Sequence, residues 1–185
     1  AGYSAPGIPL IIIGHNARIA WSITTLPVDT QDLYVEELND RENPTHYKYL
    51  GEWKPLIIEN ETITIKGAEP FVFKRYSTHH GVIINSIHND LNNKKPIALQ
   101  WTLSDSRIFQ AIFNLNLAGN FKEFRRALRE WELPCQHITY ADIDGNIGYQ
   151  EVGKIPRRNP HHQGLVPVPG WSGEYEWEGF LDFAQ

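Results

Sequence analysis

Short strand-like runs separated by turn residues dominate this chain, and only one long segment follows the period of an α-helix. Polar and apolar residues alternate in several places, for example at 32–38 and at 70–77. Strand and helix patterns do not alternate along the chain, which disfavours a parallel sheet with crossover helices. The order of strands, then a helix, then strands predicts an α+β or mainly-β fold.

The helical segment begins after Asn120, which we predict to be its N-cap. Apolar residues recur at three- and four-residue spacing from Phe121 to Trp131, with basic residues on the other side. Glu123 stands three residues after Asn120, as in a capping box. Pro134 is predicted to end the helix, because proline lacks the N–H that the helical ladder needs.

We interpret residues 1–185 as a single partial domain with four stretches. Residues 1–117 are predicted to form mainly strands, 118–133 the helix, 137–153 a hairpin and 154–185 a loop-rich tail. The hairpin turns at Asp144-Gly145, which is the strongest short hairpin signal in the chain.

Composition excludes several classes of function. The chain has 185 residues, of which 41% are hydrophobic and 21% charged, as in an ordinary soluble globular protein. Its net charge of -5, without a basic run, argues against a nucleic-acid partner. The longest apolar run, residues 8–13, is too short to cross a membrane. The start at Ala1 and the lack of methionine fit an internal fragment or a processed product.

Several motifs then follow one another over nearly the full chain. They are Pro6-Gly7-Ile8-Pro9, Gly14-His15-Asn16, Ile19-Ala20-Trp21, Asp29-Thr30-Gln31-Asp32, Gly51-Glu52-Trp53, Thr78-His79-His80-Gly81, Tyr140-Ala141-Asp142-Ile143-Asp144-Gly145-Asn146 and Val166-Pro167-Val168-Pro169-Gly170-Trp171. In order and spacing the series resembles the β chain of penicillin acylases, which are N-terminal-nucleophile hydrolases. The resemblance implies a strand-rich α+β portion of an αββα sandwich with antiparallel sheets.

The resemblance also implies a mechanism. In the family an N-terminal serine attacks an amide carbonyl, its own α-amine acts as the base, and a backbone N–H and an asparagine side chain hold the oxyanion. The backbone donor matches Thr25, whereas the nucleophile and the asparagine have no counterpart in this chain. We therefore expect part of an amide hydrolase for N-acylated small molecules, inactive alone and completed by the α chain and the rest of the β chain. A fragment could self-associate, and the family suggests a periplasmic or extracellular location.

Two further assignments come from the same resemblance. Asp29 and Asp32 match carboxylates that bind a structural calcium ion in the family, with the carbonyl of Gln31 between them; oxygen ligands of this kind suit calcium. Without the resemblance, both carboxylates could equally be solvated. Ile13 and Ile23 match positions that face the acyl group, which suggests an apolar acyl chain.

Some residues invite other interpretations. A non-catalytic β-rich binding module is the alternative function, because the chain lacks a complete catalytic set and its tail displays aromatic residues. Cys135 and His137 could suggest a cysteine nucleophile, but a lone cysteine is usually a small buried hydrophobe. His137 also departs from the family, where asparagine is expected. His79 and His80 are neighbours, so on a strand their side chains would point to opposite faces and form no zinc site; the same holds for residues 161 and 162.

Overall fold

The computed structural model describes residues 1–86, 91, 95–103 and 107–183, and it is a strand-rich α+β structure, as predicted. In chain order its elements are β1 (Gly2–Tyr3), β2 (Ile13–His15), β3 (Ile19–Thr25), β4 (Gln31–Val35), β5 (His46–Tyr49), β6 (Glu52–Pro55), β7 (Ile57–Ile63), β8 (Phe71–Thr78), β9 (Gly81–Ile83), β10 (Ile97–Trp101), α1 (Ile108–Leu117), α2 (Phe121–Leu128), β11 (Gln136–Asp142), β12 (Ile147–Val152), β13 (Pro156–Arg158), β14 (Val168–Pro169) and β15 (Trp177–Phe180).

The contacts divide the chain into two compact units, whereas the sequence suggested a single partial domain. Unit 1 comprises Ala1–Thr30, Thr102–Arg157 and Gly179–Gln185; unit 2 comprises Gln31–Trp101 and Arg158–Glu178. Each unit has its own main sheet and its own cluster of buried apolar side chains. Almost all strand pairs are antiparallel, and β14 runs parallel to β4.

Unit 1 is built on a five-stranded sheet in the order β1-β2-β3-β11-β12, with α1 and α2 packed on one face. Along β3, Ile19 and Trp21 point into the core with the helices, while Ala20 and Ser22 are exposed on the opposite face. This alternation follows from the two-residue period of a strand. The described part of unit 1 therefore has one helix-covered face and one open face.

The helical period of the sequence predicted α2 but not α1. Asn120 caps α2, because its side chain accepts a hydrogen bond from the Glu123 N–H. α2 ends at Leu128, earlier than the predicted stop at Pro134. α1 lies within the stretch predicted as mainly strands. Its apolar residues occupy both faces, with Leu115 buried and Phe113 exposed, so no amphipathic pattern distinguishes it from a strand.

Unit 2 is built on a six-stranded sheet in the order β14-β4-β10-β9-β8-β7. Its apolar core is small and centres on Tyr34, Ala98 and Val168. Buried polar residues lie in the same unit, among them Glu36 and His80. The interior of this unit therefore combines apolar side chains with buried hydrogen bonds, such as that from Thr78 to Glu36.

The predicted hairpin at 137–153 is confirmed by the pairing of β11 with β12. Gly145 has a φ of 87°, which glycine adopts without strain. The loop-rich tail contains three short strands, of which β13 and β15 pair with each other. Neither α-helix in the described residues is long and apolar enough to span a membrane.

Candidate functional site

The backbone of Thr25 lies at the end of β3, opposite Gln136 in β11. The next residue, Leu26, donates its N–H to the carbonyl of Cys135 over 3.3 Å. Hydrogen-bonded and non-hydrogen-bonded pairs alternate in an antiparallel ladder, so Thr25 and Gln136 form a non-hydrogen-bonded pair. The N–H of Thr25 consequently points away from β11.

The opposite edge of β3 is paired with β2 only at its beginning. The register joins Gly14 to Trp21 and His15 to Ala20, and it stops there. The N–H of Thr25 therefore points to the edge of β3 that faces β2, at a position beyond the last residue pair between β2 and β3. The side chain of Thr25 is exposed. This position leaves the N–H without a partner in the ladder and able to donate to another molecule.

The two residues predicted for the acyl pocket have different surroundings. Ile13 is half-buried at the start of β2 and pairs with Tyr3 in β1. Ile23 lies on the same face of β3 as Trp21 and packs partly against the core with the helices. Much of the Ile23 side chain is thus engaged in the fold, and a pocket role for either residue stays a prediction.

Asp32 is a buried carboxylate, 2% exposed, at the centre of a polar cluster in unit 2. Its Oδ2 accepts hydrogen bonds from Arg158 Nε at 2.7 Å and Trp177 Nε1 at 2.5 Å, and His162 Nε2 lies 3.3 Å away. Its Oδ1 is buried and has no hydrogen-bond partner among the described residues.

Tyr34 is a neighbour of this polar cluster. Burial, reinforced by the charges of Asp32 and Glu176, raises the pKa of the Tyr34 hydroxyl well above its ordinary value.

The orphaned Oδ1 bears on the predicted calcium site. An unpaired buried carboxylate oxygen is costly, and a hard cation is one group that satisfies it. Asp32 therefore fits as a ligand through this single oxygen. Gln31 presents its carbonyl next to it in β4, and Arg158 Nη2 reaches that oxygen at 3.5 Å. Asp29 is exposed in unit 1, and its role as a ligand stays a prediction.

Three side chains form a hydrogen-bonded trio on the open face of unit 1. Tyr149 contacts His137 Nδ1 through its hydroxyl and donates to Glu151 Oε1 over 2.8 Å. Cys135 is buried, and burial raises the pKa of its thiol. A buried thiol that resists ionisation is a poor nucleophile, which argues against the cysteine mechanism.

The expectation that His79 and His80 point to opposite faces of a strand is wrong. They occupy the turn between β8 and β9, where the two-residue alternation does not apply, and their ring centroids are 3.8 Å apart. Sequence reasoning also missed Arg158 and Trp177 as partners of Asp32. Both are single residues in a loop-rich tail, more than 120 positions from Asp32, and no local pattern marks them.

Comparisons with known proteins match this chain to acylases over nearly its full length. The Penicillin amidase family model matches residues 1–185. An acyl-homoserine lactone acylase, QuiP of Pseudomonas fluorescens Pf-5, is 38% identical over 98% of this chain and 22% of its own length. Penicillin G acylase of Escherichia coli is 31% identical over 99% of this chain and 22% of its own length.

A solved structure has the same fold as this chain. The thermostable penicillin G acylase from Alcaligenes faecalis superposes with a TM-score of 0.84 at 26% identity, and the match covers 98% of this chain and 32% of that chain. The chain thus spans about a fifth of the length of the curated relatives that it matches.

Proposed function

This chain belongs to the penicillin amidase family, and we propose that it is one part of an amide hydrolase that removes the acyl group from an N-acylated small molecule. The match to penicillin G acylase confirms the fold class, a strand-rich α+β portion of an N-terminal-nucleophile hydrolase. The proposed nucleophile is an N-terminal serine outside these residues. The proposed partners are the remaining segments of the acylase, in a periplasmic or extracellular enzyme.

In this proposal Thr25 contributes one hydrogen bond to the oxyanion that forms when the amide carbonyl is attacked. The observation that supports this role is the direction of the Thr25 N–H. It points away from β11, and it lies beyond the part of β3 that pairs with β2. The pairing of β3 with β11 holds that N–H in place before substrate arrives. A preorganised donor of this kind stabilises developing charge without reorganising during the reaction.

The substrate class follows from the relatives and from two side chains. Acyl-homoserine lactone acylase and penicillin G acylase both take their names from acylated amides. Ile13 and Ile23 are aliphatic, so we propose that they form part of the wall around an apolar acyl group. The amine side of the substrate is left open by these residues.

A structural calcium ion is the second element of the proposal. Asp32 Oδ1 would bind it, with the carbonyl of Gln31 as a neighbouring ligand and Asp29 as a further carboxylate. Calcium requires six to eight oxygen ligands, so other segments must supply the rest. When bound, the ion would neutralise carboxylate charge at the buried Asp32 side chain.

The oxyanion role is tested by removing the N–H of Thr25 while keeping the strand. Because this N–H takes no part in pairing with β11, the Thr25→Pro variant of the complete enzyme should keep its fold. We expect kcat to fall by about 10²–10³, the usual effect of losing one oxyanion donor. Steady-state kinetics on an N-acyl amide, with thermal unfolding alongside, measure both effects.

Two control variants sharpen this experiment. Thr25→Ala keeps the N–H and should retain kcat within a few-fold. Thr24→Pro removes an N–H that does face β11, and it should lower stability instead. If Thr25→Pro unfolds at the wild-type temperature and keeps its kcat, the Thr25 N–H does not stabilise the oxyanion.

A further inference from the structure

Two adjacent histidines in unit 2 converge on one carboxylate oxygen. His80 Nε2 lies 3.0 Å from Oε1 of Glu176, and His79 Nε2 lies 3.5 Å from the same atom. The candidate ligand atoms of the three side chains lie within 4.8 Å of one another. Two imidazole nitrogens and a carboxylate oxygen are a donor set that divalent transition metals favour.

Each histidine is oriented through its other ring nitrogen. His80 Nδ1 lies 2.8 Å from Oε1 of Glu36, and His79 Nδ1 lies 3.1 Å from the hydroxyl of Tyr47. Metal-binding histidines nearly always have such a partner, which aims the free nitrogen at the metal. Tyr34 stacks on the His80 ring, with centroids 3.8 Å apart, and restricts it further.

Glu36 is the buried carboxylate that fixes the position of the His80 ring. Its side chain is fully buried, and its Oε1 accepts a hydrogen bond from Thr78 over 2.7 Å as well as contacting His80. Its Oε2 is buried without a hydrogen-bond partner among the described residues. A Cβ on Gly170 would lie only 2.6 Å from this oxygen, so glycine lets the backbone close over it.

Two carboxylates flank the His80 ring. Oε1 of the fully buried Glu36 lies 2.8 Å from His80 Nδ1, and Oε1 of Glu176 lies 3.0 Å from His80 Nε2. A cation bound by the two histidines and Glu176 would offset this negative charge.

We propose that His79, His80 and Glu176 bind one divalent transition-metal ion, with Glu36 as the partner that orients His80. Zinc–ligand bonds of about 2.0–2.2 Å in a tetrahedron separate neighbouring donor atoms by about 3.4 Å. The distances from Glu176 Oε1 to the two Nε2 atoms, 3.0 and 3.5 Å, bracket this value.

A metal ion can reach this site, and one of the two histidine rings can move to bind it. The side chains of His79 and Glu176 are 34% and 30% exposed, which provides an entry path and room for a water ligand. His80 is fixed, so the partly exposed His79 ring makes the remaining adjustment between the two nitrogens. The nitrogen ligands distinguish this site from the oxygen site proposed for calcium at Asp32.

The experiment is a calorimetric titration of Zn²⁺ into the calcium-saturated protein that carries this chain. We expect one zinc equivalent to bind per protein molecule. His79→Ala should weaken binding at least about 100-fold, consistent with the loss of one ligand. His161→Ala, an exposed histidine of the other adjacent pair, is the matched control and should bind as wild type does.

A second measurement uses Co²⁺, whose intense visible bands report tetrahedral coordination. Wild type and His161→Ala should show these bands, whereas His79→Ala and Glu176→Gln should lose them, with circular dichroism confirming that each variant is folded. Absence of zinc binding to wild type overturns the proposal, and so does equal binding by folded His79→Ala and wild type. No readout depends on amide hydrolysis, so the result is independent of the proposed function.

Discussion

Asp142 closes the turn of the β11–β12 hairpin with a single carboxylate. Its Oδ1 accepts hydrogen bonds from the N–H groups of Asp144 at 3.0 Å and Asn146 at 2.9 Å, and its Oδ2 accepts one from the Tyr140 hydroxyl at 2.8 Å. The side chain of Asn146 adds a further bond and is the largest cause of the lowered pKa of Asp142, about 2 against an ordinary 3.8. Burial, together with the same carboxylate, raises the pKa of Tyr140 to about 12.

This pKa predicts a specific acid sensitivity. Because the folded state lowers the pKa of Asp142, its stabilising contribution is complete above pH 3.8 and is lost as the pH falls toward 2. Asp142→Asn should be less stable at neutral pH and should lose less further stability between pH 4 and 2. Denaturant unfolding across this pH range measures the difference.

The control is Asp144→Asn. Asp144 forms an exposed ion pair with Arg18 at 3.0 Å, and pairs of this kind contribute little to stability. This variant should reproduce the wild-type acid profile. If Asp142→Asn also reproduces it, the turn hydrogen bonds are not coupled to ionisation of Asp142.

Asp32 is the residue on which the proposed calcium site depends. We expect the complete protein to contain calcium, and Asp32→Asn to lose it and to become insensitive to EGTA. Atomic emission on dialysed protein measures the metal content, and thermal unfolding with and without EGTA measures its effect. The control Asp40→Asn, on an exposed loop, should keep the metal. Wild-type calcium content in a folded Asp32→Asn protein would exclude Asp32 as a ligand.

At the scale of elements, Asn16 joins the β2–β3 hairpin to the end of α1. Its Nδ2 donates to the carbonyls of Asn116 at 3.1 Å and Ala118 at 2.7 Å. Its Oδ1 accepts from the N–H groups of Arg18 and Ile19. The last carbonyls of a helix lack partners within the helix, so one side chain satisfies the helix end and the hairpin turn together.

Asn16→Ala should therefore destabilise unit 1 by about 2–4 kcal/mol, because four backbone groups lose a partner. Chemical denaturation of the complete protein measures this change. Asn114→Ala, which removes only an exposed side-chain bond with Gln110, should cost less than about 0.5 kcal/mol. Equal losses in the two variants would contradict the role given to Asn16.

At the scale of the whole molecule, the described residues contain one candidate oxyanion donor and no complete catalytic set. α1 also displays an apolar stripe, with Phe109 59%, Phe113 48% and Leu117 69% exposed. We expect the isolated 185-residue chain to self-associate through such surfaces and to hydrolyse no N-acyl amide. Sedimentation velocity over a concentration series and an amide hydrolysis assay measure the two properties.

Either of two results would contradict this expectation. One is a monomeric, cooperatively unfolding chain that binds a ligand, which favours the alternative of a β-rich binding module. The other is amide turnover by the isolated chain that is lost on changing Cys135 or His137, which would locate the chemistry within these residues. An inactive isolated chain that gains amide hydrolysis when the remaining acylase segments are added supports the proposed function.

Local sequence was sufficient for features that neighbouring residues create. Asn120 caps α2 and Asp144-Gly145 turns the hairpin because the interacting groups lie within a few positions of one another. The alternation at residues 32–38 likewise predicted a strand, and β4 (Gln31–Val35) lies within this stretch apart from its first residue. The ordered motifs indicated the family, which the match over residues 1–185 confirms.

Only the tertiary structure decided which groups meet. The direction of the Thr25 N–H depends on the register of β3 with β11, more than a hundred residues away, and a shift by one residue would reverse it. The partners of Asp32 and the meeting of His80 with Glu176 also join distant segments. Sequence periodicity reports which side chains are buried, but it carries no information on which buried polar groups face one another.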